Sequence, residues 1–528
     1  MGKLSLYWHT VKSLKPEQII YRVTKKLKMD CTLGLKTNIG TDFGPISLLP
    51  QLDFDTAFLS RFPVEALMQD RIILLHETET FHWNTPWHFK NRSALWNYNL
   101  HYFEYLFPLV KCWLDTRERP YLKKVQQIIL GWIQSNPKDS GGVGWDAYPT
   151  SLRLINWLSC YGYLETDLDE DFKKQMLDSL KVQYAHLATR LEKHLLGNHY
   201  FENLKTLVIC GVFFQDSAMT KAALTELKKE CAEQILSDGM HFELSPMYHK
   251  IILEDMLRTA DALRRTGTGD GQLEQYLQPM VDVAYSLEEG LERIPLFNDC
   301  GDNITKSLDA LLLTAKDVFN IEPRYRSQLP DSGYYIFKTG DWKIIVDAGQ
   351  PGPVYLPGHA HCDAMSFELF HKGKPVLVNC GTYAYQSEDR LDYKSTAAHN
   401  TVMRKGVEQS QCWGSFRMGR RAKVSVKEIH DTAISMELRD WAGEIIAREI
   451  SVEPDGIAVR DHAKGQILVS YVHFADNGKD LVDLCESICE DKEIVEQAYA
   501  PEYGRKEMID TIKLSSENCV EYKLGFTK

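Results

Sequence analysis

The hydrophobic period of the chain changes once, near residue 325, and that change restricts the fold to two unlike parts. From about residue 90 to 320, apolar residues recur at three- and four-residue spacing, as in "LHYFEYLFPLVKCWLDT", "FKKQMLDSLKVQYAHLATRLEKHLL" and "KAALTELKKECAEQIL". This is the pattern of amphipathic helices. Seven or more such segments follow one another with short turns between them, which predicts an all-α domain of paired helices. Beyond "NIEPRYRSQLPDSG" the runs become short, β-rich and turn-bounded, as in "SGYYIFKTGDWKIIVDAG", "TAISMELRDW" and "QILVSYVHFA". Many such runs in succession predict an antiparallel sandwich. The predicted class is multidomain α plus β. An N-terminal segment spans 1–50, a helical domain 51–325 and a β domain 326–528.

Composition narrows the function classes. The 528 residues are 44% hydrophobic and 25% charged, with a net charge of −12. That is a globular balance, and it argues against nucleic acid as a partner. The 12 cysteines are scattered without a CxxC pair, which predicts free thiols and a reducing compartment. "MGKLSLYWHTVKSLKPEQIIYRVTKKLKMD" has no apolar run of signal-peptide length, so a cytoplasmic location is expected. No run of about 18 apolar residues predicts a membrane-spanning helix. The stretch from Tyr21 to Lys28 is basic and partly amphipathic. It suits a solvated helix, or docking to a membrane surface or a polysaccharide-assembly partner. Nothing in the sequence indicates an oligomeric state.

Three clusters carry candidate chemistry. In "GNHYFENLKTL", Asn198, His199, Glu202 and Asn203 crowd one turn at the start of an apolar helix. In "DGMHFELSPMYHKIILEDMLR", Tyr248 sits just inside a helix N-terminus, where the dipole is expected to lower a phenol's pKa and suit it to proton transfer. In "GHAHCDAMS", a strand would place His359, His361 and Asp363 on one face. With His399 of "STAAHNTV", this is either half of a metal site or a set of hydrogen-bonded polar residues. Two stretches suggest a carbohydrate cleft. "FHWNTPWHFKNRSALWNYNLHYFEY" concentrates aromatics, among them Trp96 and Tyr98, that suit sugar faces or a helix core alike. "GGVGWDAYPTSLRLINW" places Arg153 near Trp145, where it is a candidate ligand for a sugar carboxylate or half of a structural ion pair.

Taken in order, these stretches, with "PLFNDCGDN", "KGKPVLVNCGTYAY", "DYKSTAAHNTV" and "EQSQCWGSF", resemble the heparinase II/III-like polysaccharide lyases, which include alginate and oligoalginate lyases. The likeness spans roughly residues 90–420 and is most specific between Gly358 and Val402. It implies an incomplete (α/α) toroid followed by an antiparallel β-sandwich. It also implies β-elimination on a uronate-containing acidic polysaccharide or oligosaccharide. By that resemblance Asn198 and His199 hold the uronate carboxylate. Tyr248 carries the proton, and His359 and His361 face the cleft from the sandwich. Trp96, Tyr98, Trp145, Arg153, Glu202 and Asn203 are the candidate substrate-binding residues. Asp363 would orient a histidine.

The resemblance further implies zinc held by His361, His399 and a third ligand, with no organic cofactor. Asn379, in "VNCGTY", stands where such members carry an Asp, and an amide is a poor zinc ligand. Similar signal-less proteins are associated with bacterial capsule or exopolysaccharide production, which implies that setting here. Two other functions remain open at the level of sequence. One is a glycoside hydrolase on a helical toroid, with Glu202, Glu243 and Asp299 as candidate carboxylates. The other is a non-catalytic polysaccharide-binding or assembly protein.

Overall fold

The computed structural model describes residues 3–138, 142–267, 269–302, 304–476 and 478–527. Met1, Gly2, Gly141 and Asn303, which end stretches quoted above, lie outside the described residues. The first part is helical. Its longer helices run over Arg119–Ser135, Ala147–Leu164, Glu170–Leu187, Gly197–Phe213, Ser217–Gln234, Pro246–Arg265, Leu277–Glu288 and Leu308–Phe319. Several begin where a short polar side chain takes up a free backbone N–H. Asp169 accepts from Phe172 N, Asp216 from Met219 N and Ser307 from Ala310 N, each worth about 1 kcal/mol. The core between the helices is aromatic. Phe103 stacks on Trp87 at 5.3 Å and meets Trp157 edge-on at 5.1 Å. Among the described residues, no helix is long and apolar enough to cross a membrane.

The second part holds two large antiparallel sheets and a two-stranded one, Cys412–Gly414 with Arg417–Met418. The smaller of the large sheets has five strands in the order Gln328–Leu329, Tyr334–Thr339, Trp342–Asp347, Phe367–His371 and Lys374–Leu377. The larger is built on two long strands, Gly456–His473 and Arg505–Phe526, which pair along most of their length. Hairpins over Lys423–His430, Ala433–Arg439 and Ile445–Glu453 extend it on one side.

The period-2 rule explains how the smaller sheet joins the two parts. Tyr335, Phe337, Ile344, Val346, Phe367 and Leu369 point to the larger sheet and share its core. Their alternates Ile336, Ile345 and Phe370 point the other way and pack on Met240, Leu244, Val283 and Leu287 of the helical part. A sheet covered on both faces reads as near-continuous apolar runs, which accounts for "WKIIVD". Packing on both sides fixes the sandwich against the helices, and the site lies along that junction.

Candidate active site

A cavity of about 730 Å³ opens between the two parts. The helical part lines it with Tyr98, Asn198, His199, Glu202 and Tyr248, and the sandwich part with His359, Tyr385 and Phe416. The helix Gly197–Phe213 enters the wall through a tight turn. Gly197 has φ +57°, and a Cβ there would fall 2.6 Å from Glu243 Oε1. Glycine therefore lets Glu243 reach the helix start, where its Oε1 accepts the Asn198 N–H at 3.1 Å. Tyr248 stands in the first turn of Pro246–Arg265, capped by Ser245 Oγ at 3.3 Å.

Asp299 organises the wall facing Tyr248. It is fully buried, yet its carboxyl is held well below the usual carboxylate range. Burial alone would raise it, but the Arg390 guanidinium and the two imidazoles overcome that. Arg390 Nη2 donates to Oδ2 at 2.6 Å, and Nη1 lies 2.5 Å from Oδ1 as an ion pair. His359 Nδ1 lies 2.9 Å from Oδ2, and His361 Nε2 lies 2.8 Å from Oδ1. An ionised carboxylate only accepts, so both imidazoles turn a proton toward Asp299. His359 Nε2 turns to the other side, 3.5 Å from Glu243 Oε2, and in the neutral ring it carries the lone pair. The Tyr248 ring packs against the His359 ring at 4.1 Å. Its hydroxyl meets Tyr385 OH at 2.6 Å, and Tyr385 OH meets Tyr503 OH at 2.8 Å. Contrary to the dipole expectation, the Tyr248 phenol is pushed well above its ordinary value, first by burial and then by Tyr385 and Asp299. His199 is raised. Burial opposes its charge, but Glu192 Oε2, 3.3 Å from Nδ1, outweighs it.

Family models match nearly the whole of this frame. The model described as Heparinase II/III N-terminus covers residues 54–326, and Heparinase II/III-like, C-terminal, covers 321–517. The chain belongs to the heparinase II/III-like family. It is similar to the heparin-sulfate lyase of Pedobacter heparinus, 22% identical over 60% of this chain and 52% of that protein. The heparin-sulfate lyase of Bacteroides thetaiotaomicron is 21% identical over 68% of this chain and 59% of its own. The chain thus spans between half and three-fifths of the length of these curated relatives. The heparinase III crystal structure shares the fold, with a TM-score of 0.71 at 15% identity over 94% of this chain and 88% of that one. Heparan sulfate lyase HepC from Pedobacter heparinus superposes with a TM-score of 0.57 at 15% identity, over 97% and 88%. As in those structures, helices precede antiparallel sheets.

Within this family frame, the structure brings together Asn198, His199, Tyr248, His359, Glu202 and Tyr98 at the cavity, with His361 immediately behind. Other candidates are corrected. Arg153 is fully buried, lies 4.0 Å over the Trp132 ring and donates to Gln183 Oε1 at 2.7 Å, so it is not available to a sugar carboxylate. Trp96 is buried, with its N–H on Glu77 O at 3.3 Å. Trp145 packs on Trp132 and His186. Asn203 is fully buried and bonds Glu192 and Ser151. These four support the helical core. Glu202 reaches the cavity but is ion-paired with Lys205, which also holds Asp255 at 2.9 Å. Tyr98 donates to Asp146 Oδ2 at 2.6 Å.

"GHAHCDAMS" is an irregular segment that leads into the strand Phe367–His371; it is not itself a strand. Asp363 does not touch a histidine. Its Oδ2 accepts the Asn298 N–H at 2.7 Å and so holds the turn that delivers Asp299. Asn298 completes that turn at φ +57°, with its side chain bonded to His361 N and Leu244 O. Asp299, Arg390, Tyr385, Tyr503 and Glu243 are the residues to which sequence reasoning gave no place in a lyase site. Asp299, Glu243 and Tyr385 fall within stretches quoted above, Asp299 and Glu243 as hydrolase candidates, but those stretches do not reveal their partners, and Arg390 and Tyr503 carried no signal.

The donor set for zinc is incomplete. His361 Nδ1 and His399 Nε2 face each other at 3.2 Å. His399 gives its Nδ1 proton to Ser395 O at 2.8 Å, and burial pushes His361 down to about 4, so its single proton goes to Asp299. Both facing nitrogens carry lone pairs, which is half of a metal site. The third position does not follow. Asn379 Oδ1 accepts the Asn400 N–H at 3.0 Å, and its Nδ2 donates to Ser366 Oγ at 3.3 Å. Cys362 faces Ser410 O and Cys412, and Cys380 packs among Tyr393, Ala398 and Ala500. Among the described residues, no three His, Cys, Asp or Glu side chains are placed to hold a metal ion. The residues present do not fit the implied zinc site, and no step below passes through a metal.

Proposed function

We propose that this chain cleaves a uronate-containing acidic polysaccharide by β-elimination. The observation that carries the reading is the pairing of the Tyr248 phenol with the His359 imidazole across the junction, at 4.1 Å. The reaction removes the C5 proton beside a carboxylate, forms the C4–C5 double bond from that electron pair, breaks C4–O4 and returns a proton to O4. In its neutral form, with the Nδ1 proton turned to Asp299, the His359 ring offers Nε2 as the base. Tyr248, kept protonated by its surroundings, donates to O4, and the Tyr385–Tyr503 relay reprotonates it. The Asn198 amide hydrogen-bonds the substrate carboxylate and His199, whose charged form Glu192 favours, offsets its charge, which lowers the main obstacle to a C5 carbanion. Capsule and exopolysaccharide chains that carry uronates are the polymer class we assign. A hydrolase reading needs two carboxylates free across the cleft. Glu202 and Asp299 are instead locked in ion pairs.

The test is a panel of uronate polymers, with the near-ultraviolet absorbance of the C4–C5 double bond as the readout. Tyr248→Phe is expected to lower kcat by about 10²–10⁴ and leave KM little changed. Full activity of that variant would overturn the assignment.

A further inference from the structure

The first two helices lie outside both matched regions, and they reach the cavity. Lys3–Val11 and Pro16–Lys26 bridge the two parts at its rim. On the sandwich side, Thr10 Oγ1 donates to Met418 O at 3.1 Å and accepts from Trp413 Nε1 at 3.0 Å, and Tyr7 meets the Trp413 ring at 4.7 Å. On the helical side, fully buried Gln18 donates to Leu195 O at 3.1 Å, and Lys15 pairs with Glu233 and lies over the Tyr355 ring. Thr10, Leu14 and Arg22 of this strap line the same cavity as Tyr248 and His359.

Three arginines line this cavity from the strap and the sandwich side. Arg22 comes from the strap, and Arg417 and Arg421 come from the segment around Phe416, whose ring is 6.1 Å from His359. Among the described residues, none of the three has a carboxylate within ion-pair distance. Arg22 Nε meets His194 O at 3.4 Å, Arg421 Nη1 meets Pro353 O at 3.0 Å, and Arg417 lies over the Trp413 ring at 4.9 Å. Charge on Arg22 is disfavoured, first by burial and then by the nearby Arg417 guanidinium. Elsewhere on the cavity wall Arg258 is matched by Asp53 and Glu254. Cations on a cavity wall without a carboxylate partner are stabilised by an anion that pairs with them.

We propose that Arg22, Arg417 and Arg421 form an anion subsite that binds a carboxylate or sulfate on a sugar next to the one being cleaved. The strap thereby takes part in substrate recognition. This deepens the lyase reading and rests on it. Loss of such a guanidinium–anion pair is expected to weaken binding about tenfold.

The test uses the full chain carrying Tyr248→Phe, so that binding is read without turnover. Calorimetry would compare an N- and O-sulfated hexuronate–hexosamine hexasaccharide with its desulfated counterpart. Arg22→Ala with Arg417→Ala, and separately Arg421→Ala, are expected to weaken binding at least tenfold. Arg22→Lys should recover part of the loss, and Lys26→Ala, on an exposed position of the strap, should change nothing. A loss confined to the sulfated ligand identifies a sulfate; a loss with both identifies the carboxylate. Equal binding by the arginine variants, or no binding of either ligand before they are introduced, would overturn the subsite. If these losses appear while no uronate polymer yields the double bond, the lyase reading fails and the subsite stands.

Discussion

Replacing Asp299 by Asn tests the centre of the site with the smallest change of shape. Five contacts converge on this carboxylate: two from Arg390, one each from His359 and His361, and one from Thr382 Oγ1 at 3.2 Å. An amide keeps one acceptor oxygen and replaces the other with a donor. Whichever way it turns, N–H groups face an arginine or an imidazole proton. Arg390 is then buried without its counter-charge, which costs about 3–5 kcal/mol. His359 loses the partner that fixes its tautomer, and a lost tautomer lowers turnover by about 10⁴ in a comparable carboxylate–imidazole pair. The carboxylate is depressed in the folded state, so its stabilisation is complete above the unfolded value near 3.9 and is lost as pH falls through the folded value. The difference in unfolding free energy between the two proteins should therefore be constant from neutral pH down to about 4 and shrink below it. Denaturant unfolding across pH and the double-bond absorbance give the two readouts. If Asp299→Asn loses stability but keeps its rate per folded molecule within threefold, His359 is not the base that Asp299 prepares.

Two further outcomes follow from buried groups. Asn379→Asp puts a carboxylate at the position where the resemblance calls for the third ligand, so the variant should bind one zinc per chain by metal analysis, whereas the unaltered protein retains well below one after dialysis. Asp347 and Asp363 are both raised by burial, Asp363 to about 6 with Asp347 well above the usual range. Raised carboxyls hold protons in the folded state and cost stability as pH climbs past the unfolded value. Asp347→Asn should then raise the unfolding free energy by roughly 1–2 kcal/mol at pH 7 and by less at pH 5. A larger gain at pH 5 would contradict the assignment.

The division of the chain into helices and strands was legible because periodicity is local. Each apolar stripe records which way its own element faces, and "YYIF" with "WKIIVD" even records a sheet covered on both sides. The site was legible only where a local signal coincided with it, as at Asn198, Tyr248 and His359. The Asp299 constellation joins residues 60 and 91 positions apart in the chain, and it sits on irregular segments and the start of the five-residue helix Arg390–Lys394, all too short to show a period. No stripe or motif announces that pairing. Arg153 and Trp96 show the converse. Their residue types suit sugar binding, but whether such a side chain meets a ligand or a core depends on neighbours from other helices. Arg153 met Gln183 and Trp132, and its charge was spent inside.

Tyr248 shows why magnitudes decide between two correct local rules. A helix N-terminus favours a phenolate by about 0.3–1 kcal/mol, less than one pKa unit. Full burial shifts a titratable group by up to 3–5 units the other way. Tyr248 is 6% exposed, and Tyr385 and Asp299 add to the effect of burial. Burial wins, so the phenol keeps its proton. On the proposed mechanism it is then the acid, and proton abstraction falls to the imidazole packed against it. A pH–rate profile whose essential base titrates in the imidazole range carries this division of labour. One whose base titrates near 10, as a phenol would, returns both steps to Tyr248.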